Sequence, residues 1–428
     1  MAPRTALPYT GSMNTQTKGV VYDAIIAGGG FVGGTLALAL AKLAPPGFRI
    51  ALVDAARQEV GANGPKDARG LALTAATKSL LDAVGLWPAL APNAEPVRSI
   101  EITDSPLNAS LRPHFLGFDD EMKAGDPGAY LVEAGELHRV ISAAVEEDAR
   151  IDLLAPESIG DFETDAFCVR AHLASGATLA SRLLVAADGK RSKVRQRAGI
   201  KCIGWSYPQV GIVATVAHER PHHGKAVQHF LPAGPFAILP LKGNRSSIVW
   251  TEETVRGQEL MAGSEEAFVG ELTRRFGHRL GALTLEGPRQ SFPLEFQMAR
   301  SFIANRLALV GDAAHAVHPL AGQGLNIGMR DVAALAETII DTARLGLDIG
   351  SGTTLDRYQR WRHFDSAFSA TVMDGLNRLF SNDSASLRAI RDLGLGLVDR
   401  TPSLKRFLVR EAAGATGDVP RLLKGEGL

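Results

Sequence analysis

Short apolar runs recur along the chain, and several are delivered directly to a glycine or an aspartate. Residues 22–27, 48–53, 183–187 and 306–310 are compact enough, and apolar enough on successive positions, to predict strands buried on both faces. Residues 35–43 are rich in Ala and Leu. Residues 78–87 and 135–145 follow helical spacing, with Leu137, Ile141 and Ala144 on one face of the second. Val332, Leu335, Ile339 and Ala343 mark a further helix, for which Gly346 supplies a stop. Strands at 210–216, 226–231, 236–241 and 246–250 follow one another without a helix between them, and 97–120 reads as strands and turns. The pattern predicts an α/β protein with a parallel βαβ start and a separate mixed sheet.

The junctions between these elements carry the candidate chemistry. Gly28-Gly29-Gly30-Phe31-Val32-Gly33 is a G-x-G-x-x-G between a strand and a helix. Gly28 permits the tight turn, Gly30 lets a pyrophosphate approach the helix N-terminus, and Gly33 lets helix and strand pack closely. The second strand ends at Asp54, whose carboxylate suits the two hydroxyls of an adenosine ribose. A dinucleotide site is the expectation. The segments that follow favour FAD over a freely exchanging nicotinamide cofactor. Arg69 stands in a loop where a guanidinium can meet phosphate or a flavin edge. Asp188-Gly189 ends the strand at 183–187, and Asp188 is expected to order the neighbouring glycine loops. Gly311-Asp312-Ala-Ala-His315 follows the strand at 306–310 and leads through His318, Pro319, Gly322, Gln323, Gly324, Leu325 and Asn326 into the long helix. Asp312 can accept hydrogen bonds from a sugar or polyol. The new helix offers unpaired N–H groups and a positive dipole end to anionic charge.

Length and composition narrow the class. The 428 residues suffice for two joined domains. With 46 basic and 46 acidic residues, no overall field attracts nucleic acid. The two cysteines, Cys168 and Cys202, form no C-x-x-C pair, so neither a disulfide framework nor structural zinc is expected. The absence of a long apolar run or an apolar leader predicts a cytoplasmic protein with no spanning helix and a disordered lead-in over 1–20.

The three motifs together resemble the single-component flavoprotein aromatic hydroxylases. The longer form, His318-Pro319-Leu-Ala-Gly-Gln-Gly-Leu-Asn326-Ile-Gly-x-x-Asp331, is similar to the branch that hydroxylates ubiquinone precursors, of the UbiH/UbiF type. So are Gln228-His-Phe-Leu-Pro-Ala-Gly-Pro235 and Gly417-Asp-Val-Pro420. The resemblance implies a Rossmann-like FAD domain assembled from 21–90, 121–202 and 301–380, an inserted mixed-sheet substrate domain from 91–120 and 203–300, and a C-terminal helical region over 381–428. It implies FAD-dependent hydroxylation of a polyprenylated phenol with O2, through a C4a-hydroperoxyflavin, with NAD(P)H or a partner reductase as electron donor. Backbone N–H groups around 322–325 would then stabilise charge on the reduced flavin, Pro319 would turn the loop beside the ring, and Asn326 would help cap the helix.

Several residues are expected to depart from or complete that scheme. Gln228, Phe230, Pro240 and Trp250 are substrate-pocket candidates, with Phe230 and Trp250 equally suited to ordinary core. Gly70, where the family carries a larger residue, should make the Arg69 loop more mobile. Glu133 or Arg139 can stand in for a missing FAD contact. No residue is assigned as a certain catalyst. His315, His318, Pro319 and Gln323 are the candidates, though a histidine bonded to local loop backbone is the more ordinary reading of His315 and His318. Apolar and basic residues alternate from 386 onward, which suits peripheral contact with an anionic membrane, docking on a partner such as a ubiquinone-biosynthesis complex, or packing on the chain's own domain. Two other activities share these features: hydroxylation of a soluble aromatic, and a non-catalytic FAD-bearing scaffold.

Overall fold

The computed structural model describes residues 21–56, 67, 69–104, 114–117, 127–317, 323–380 and 418–428. His318, Pro319 and Gly322, the lead-in over 1–20 and residues 381–417 of the C-terminal region lie outside the described residues.

Val21–Ala27 runs through the middle of a sheet, parallel to Thr178–Ala186 on one side and to Ile50–Val53 on the other. Leu307–Leu309 extends the sheet beyond Thr178–Ala186, and Ile151–Leu154 extends it beyond Ile50–Val53, both in parallel. Successive residues of a strand point to opposite faces, yet Ala24, Ile25 and Ile26 are all fully buried, so both faces are covered. The Phe31–Leu43 and Gln323–Arg344 helices contribute much of that cover, the first burying a run of Ala and Leu and the second a run of Ala, Leu, Ile and Val.

The second sheet is mixed and large, with strand order His315–Ala316, Leu283–Ala299, Cys202–His218, Arg245–Glu253, Gly234–Leu241, Lys225–Leu231, Ser99–Asp104 and His114–Gly117. Its register separates two faces. Phe236 lies opposite Trp250 and Ile238 opposite Ile248, and these pack with Leu260, Phe268 and Leu272 from the two helices that follow Arg245–Glu253. The other face presents Gln228, Phe230, Ala237, Leu239, Leu241, Ser247 and Val249. There Ala226 and Leu241 cluster with Val97 and Leu131, which brings in a third, small sheet of Gly70–Thr74, Ala129–Glu133 and Glu95–Pro96.

Three expectations change. The helix expected over 78–87 begins earlier, as Ala75–Ala83, because the Thr74 hydroxyl accepts the Thr77 N–H and caps it. It also stops short of Trp87, because Gly85 turns into the left-handed region at φ +79°. Gly70 does not loosen a loop. It opens a strand paired with Glu133, its N–H donates to Ser247 Oγ at 2.9 Å, and a Cβ there would come within 2.7 Å of Ser247 Cβ. The chain's end at 418–428 packs on its own domain: Leu422 and Leu423 are buried, and Arg421 pairs with Glu337 and Asp341. No helix among the described residues is long and apolar enough to cross a membrane.

Candidate functional site

The parallel pairing brings the motif residues together. Leu307–Leu309, Thr178–Ala186, Val21–Ala27 and Ile50–Val53 are neighbours pointing the same way, so Asp312, Asp188, Gly28 and Asp54 follow the same ends of adjacent strands.

At the first turn, Gly28 adopts φ +101°, and a Cβ would lie 2.3 Å from the Ala187 carbonyl oxygen. That contact is made by backbone, so the Asp188 turn braces the glycine loop through its peptide rather than its carboxylate. Gly33 is equally constrained, since its Cβ would fall 1.9 Å from Gly28 O. Gly30 differs. A Cβ there would meet nothing within 4 Å, and the helix it opens has no side-chain cap and no acidic residue in its first turn. Open space therefore stands before free N–H groups and a positive dipole end, which is what a phosphate requires. Asp54 accepts the Gly29 N–H and, at 2.8 Å, the Ala56 N–H. A cleft beside it is walled by Leu52, Val145, Leu153 and Ala155, apolar enough for a flat ring.

Asp188 directs Oδ2 to the Val194 N–H at 3.3 Å and leaves Oδ1 buried without a partner. Such an acceptor is costly unless a ligand hydroxyl satisfies it. Asp312 meets water, yet protein surrounds it closely enough that burial pushes its carboxyl above the ordinary range, against the pull of His315 and Lys190. Open space at Gly30, the unpartnered Asp188 oxygen and the Asp312 carboxylate fit a dinucleotide with a polyhydroxylated linker, and FAD is one.

His315 is 1% exposed, and its Nε2 lies 2.6 Å from Asp331 Oδ2. Its partner is thus a helix carboxylate rather than loop backbone, while Nδ1 is buried and unpartnered. Asp331 is 0% exposed and also accepts the Gly311 N–H at 2.9 Å and Arg362 Nε at 2.8 Å. Burial raises the Asp331 carboxyl, but His315 and Arg362 outweigh it and the net shift is downward. Asn326 does not cap its own helix. Its Oδ1 accepts the Thr74 N–H at 3.0 Å and the Thr77 hydroxyl at 2.7 Å, and its Nδ2 donates to Ala72 O at 2.7 Å, tying the long helix to the small sheet. Gln323, Gly324 and Leu325 form the first turn of that helix.

Arg69 is held by Asp67 through Nε and Nη2, the latter at 2.5 Å, and its guanidinium lies 5.6 Å from the Phe292 ring centroid. Glu133 pairs with Arg245 at 2.5 Å and Arg139 with Glu136 at 2.8 Å. The four pocket candidates divide. Gln228 and Phe230 stand on the face turned toward the small sheet, and Gln228 Nε2 is buried without a partner. Pro240 and Trp250 are on the opposite face. Trp250 is fully buried against Phe236 and Phe268, with Arg275 stacked 4.2 Å above it, so it is core. Of two further structural residues, the sequence marks Arg195 only as part of the helix start after Asp188-Gly189 and does not mark Arg362. Arg195 joins the Asp188 and Asp312 turns by donating to Lys190 O and Ala313 O at 2.9 and 2.8 Å. Arg362 has no motif around it. Among the described residues no cluster of metal ligands occurs.

Comparison with known proteins agrees with this geometry. Residues 21–370 match the family model described as an FAD binding domain. The chain is 43% identical to a ubiquinone hydroxylase, UbiL, of Rhodospirillum rubrum, over 99% of this chain and 96% of that one. It is 34% identical to the 3-demethoxyubiquinol 3-hydroxylase of Escherichia coli, over 91% and 97% respectively. Among solved structures, p-nitrophenol 4-monooxygenase PnpA of Pseudomonas putida superposes with a TM-score of 0.75 at 20% identity, covering 93% of this chain and 99% of that one, which shows a shared fold. The chain belongs to the FAD-binding monooxygenase family.

Proposed function

We propose that this protein hydroxylates the aromatic ring of a polyprenylated phenol on the route to ubiquinone, using O2 and electrons from NAD(P)H or a partner reductase. The observation that carries the reading is the sheet face beside the FAD-type loops, where the unpartnered amide of Gln228 sits among Phe230, Ala237 and Val249. An apolar floor with one buried donor suits a largely apolar ring bearing an oxygen. The relatives whose names specify ubiquinone or demethoxyubiquinol align over nearly their whole length, which supports that substrate class.

When bound, FAD would pass two electrons from the donor to O2, so that one oxygen atom enters the electron-rich ring and the other leaves as water. The chain's residues do the rest. The N-terminus of the Phe31–Leu43 helix, with Gly30, holds the pyrophosphate, and Asp54 accepts from the ribose. Asp188 and Asp312 accept hydroxyls of the linker. N–H groups in the first turn of the Gln323–Arg344 helix stabilise negative charge on the reduced ring. Gln228 Nε2 donates to the phenol oxygen and sets which ring edge faces the flavin, while Phe230 excludes water. We assign 21–90, 121–202 and 301–380 to the FAD domain and 91–120 and 203–300 to the substrate domain. A prenylated substrate partitions into lipid, so we place the enzyme at a membrane surface, with the apolar and basic residues of 386–417 as the contact.

Quinone profiling tests the reading. Bacterial strains each lacking one ring hydroxylase are complemented with this chain. Restored ubiquinone is expected in at least one, and that strain identifies the carbon attacked. Persistence of every blocked precursor, with the protein folded and carrying FAD, would overturn the substrate assignment.

A further inference from the structure

Arg362 lies in the Gly352–Phe380 helix, far in sequence from every glycine loop, and is 2% exposed. One face of that helix grips the motif at helical spacing. The Tyr358 hydroxyl donates to Leu309 O at 2.7 Å, at the end of the strand that leads to Gly311. The oxygen of Gln359 accepts the Phe302 N–H at 3.0 Å and the Ser301 hydroxyl at 2.7 Å. One turn on, Arg362 Nε donates to Asp331 Oδ1 at 2.8 Å, Nη1 pairs with Asp365, and Nη2 donates to Ser366 Oγ at 3.2 Å. Arg330, next to Asp331, reaches the same Asp365 at 3.1 Å.

The two oxygens of Asp331 are divided between different tasks. Oδ1 is fixed by Arg362, while Oδ2 receives both the Gly311 N–H and His315 Nε2. A carboxylate is planar, so turning one oxygen turns the other. The guanidinium therefore determines where Oδ2 stands, and Oδ2 determines the turn between Gly311 and His315. Asp312 lies within that turn and is exposed there. The charges are paired as well, with Asp331 facing Arg362 and Asp365 facing Arg330 and Arg362, so removing Arg362 strips a fully buried carboxylate of its guanidinium.

We propose that Arg362 is a positioning residue for the flavin: by orienting Asp331 it sets the Gly311 amide and the His315 ring, and so fixes the turn that presents Asp312 to the cofactor. This rests on the FAD reading of the site.

The test titrates deflavinated full-length protein with FAD, following flavin absorbance and fluorescence, and measures the reduction potential of the bound flavin. Arg362→Met should bind FAD at least about tenfold more weakly, with a displaced visible band and a changed potential. Arg362→Lys restores the charge without the planar fork and should recover part of the affinity. Arg357→Met, on an exposed side of the same helix where Arg357 pairs with Asp341, is the control and should leave affinity, spectrum and potential at wild-type values. Should the single variants not fold, the uncharged pair Asp331→Asn/Arg362→Gln removes the buried imbalance, and it too should bind FAD more weakly, because an amide has one oxygen for donors that a carboxylate shares between two. Folded Arg362 variants, or the double variant, with wild-type affinity, spectrum and potential would overturn the inference and leave Arg362 as structural packing. A wild-type chain that takes up no FAD would instead overturn the function proposed above.

Discussion

Replacing Gly30 by alanine separates a glycine kept for a ligand from a glycine kept for the fold. Gly30 is the N-cap of a 13-residue helix, with φ −67° and ψ −168°, a conformation alanine adopts freely. Alanine is a poorer N-cap than glycine by up to about 1 kcal/mol, while the stiffer unfolded chain returns about 0.4–1 kcal/mol. The apoprotein should therefore change by less than about 1 kcal/mol, a shift of only a few degrees in Tm. Its Cβ would touch no protein atom within 4 Å, so any loss of FAD affinity reports on the space in front of the helix. A methyl group there displaces a phosphate from the N–H groups, and a hydrogen bond to a charged group contributes about 1.5–3 kcal/mol. Each one lost weakens binding by about tenfold to about 150-fold. Gly33→Ala is the contrasting variant. Its Cβ would lie 1.9 Å from Gly28 O, so the βαβ unit itself must move and the apoprotein melts lower. Thermal melts of both apoproteins and FAD titrations of those that fold measure the two effects separately. If Gly30→Ala binds FAD within about twofold of wild type, the phosphate is elsewhere and the site as described is wrong.

Opposite faces of the mixed sheet give a second pair of outcomes: Gln228→Ala should raise KM for the phenol at near-unchanged stability, whereas Trp250→Phe should lower stability by about 1–3 kcal/mol and leave KM alone. Denaturant melts beside steady-state kinetics check this, and a KM effect confined to Trp250 would reverse the facing of the sheet. Asp312 supplies a pH dependence. Its folded pKa is raised by burial, so its contribution to stability is present in acid and is lost as pH rises through the folded value. Asp312→Asn should accordingly stabilise the apoprotein at pH 7, by less than about 1 kcal/mol because the carboxyl also meets water, with the gain vanishing near pH 3. FAD affinity should fall in the same variant, and equal stability at both pH values refutes the assignment.

What the sequence disclosed was local. A glycine loop between an apolar strand and a helix carries its geometry within a few residues, and Gly28, Gly33 and the 323–344 helix could be read that way. Facing could not. Strands such as 234–241 are buried on both sides, and a period of two tells that neighbours face apart without telling which side holds the ligand. Pro240 reads as a pocket candidate and Trp250 as either pocket or core for that reason, and the register turns both toward the helices. Gly70 misled differently: a glycine signals freedom until the neighbour that demands it is known, and here that neighbour is Ser247, 177 residues away. Asn326 is related, since a polar residue at a helix start suggests a cap, but its partners lie at 72, 74 and 77. Arg362 had no local signal, because its meaning lies in a carboxylate 31 residues back that only packing brings alongside.

The order of the parallel strands brings residues far apart in sequence to one end of the sheet. Four adjacent strands precede Asp312, Asp188, Gly28 and Asp54, and neighbouring strands stand about 4.8 Å apart, so their ends form a row about 14 Å long. A row of acceptors flanking one helix N-terminus matches an extended molecule with hydroxyls at both ends and a phosphate between, and would be wasted on a compact one. The Asp312 end of the row then passes into the other sheet. His315 and Ala316, three and four residues on, pair with Met298 and Gln297 at the edge of the mixed sheet. The turn that presents Asp312 is thus continuous with the floor on which Gln228 stands. A flavin laid along the row with its ring at this end would meet the substrate where the turn after Leu307–Leu309 passes from one sheet to the other, and the Asp331 and Arg362 bonds that fix the turn would fix the distance between them.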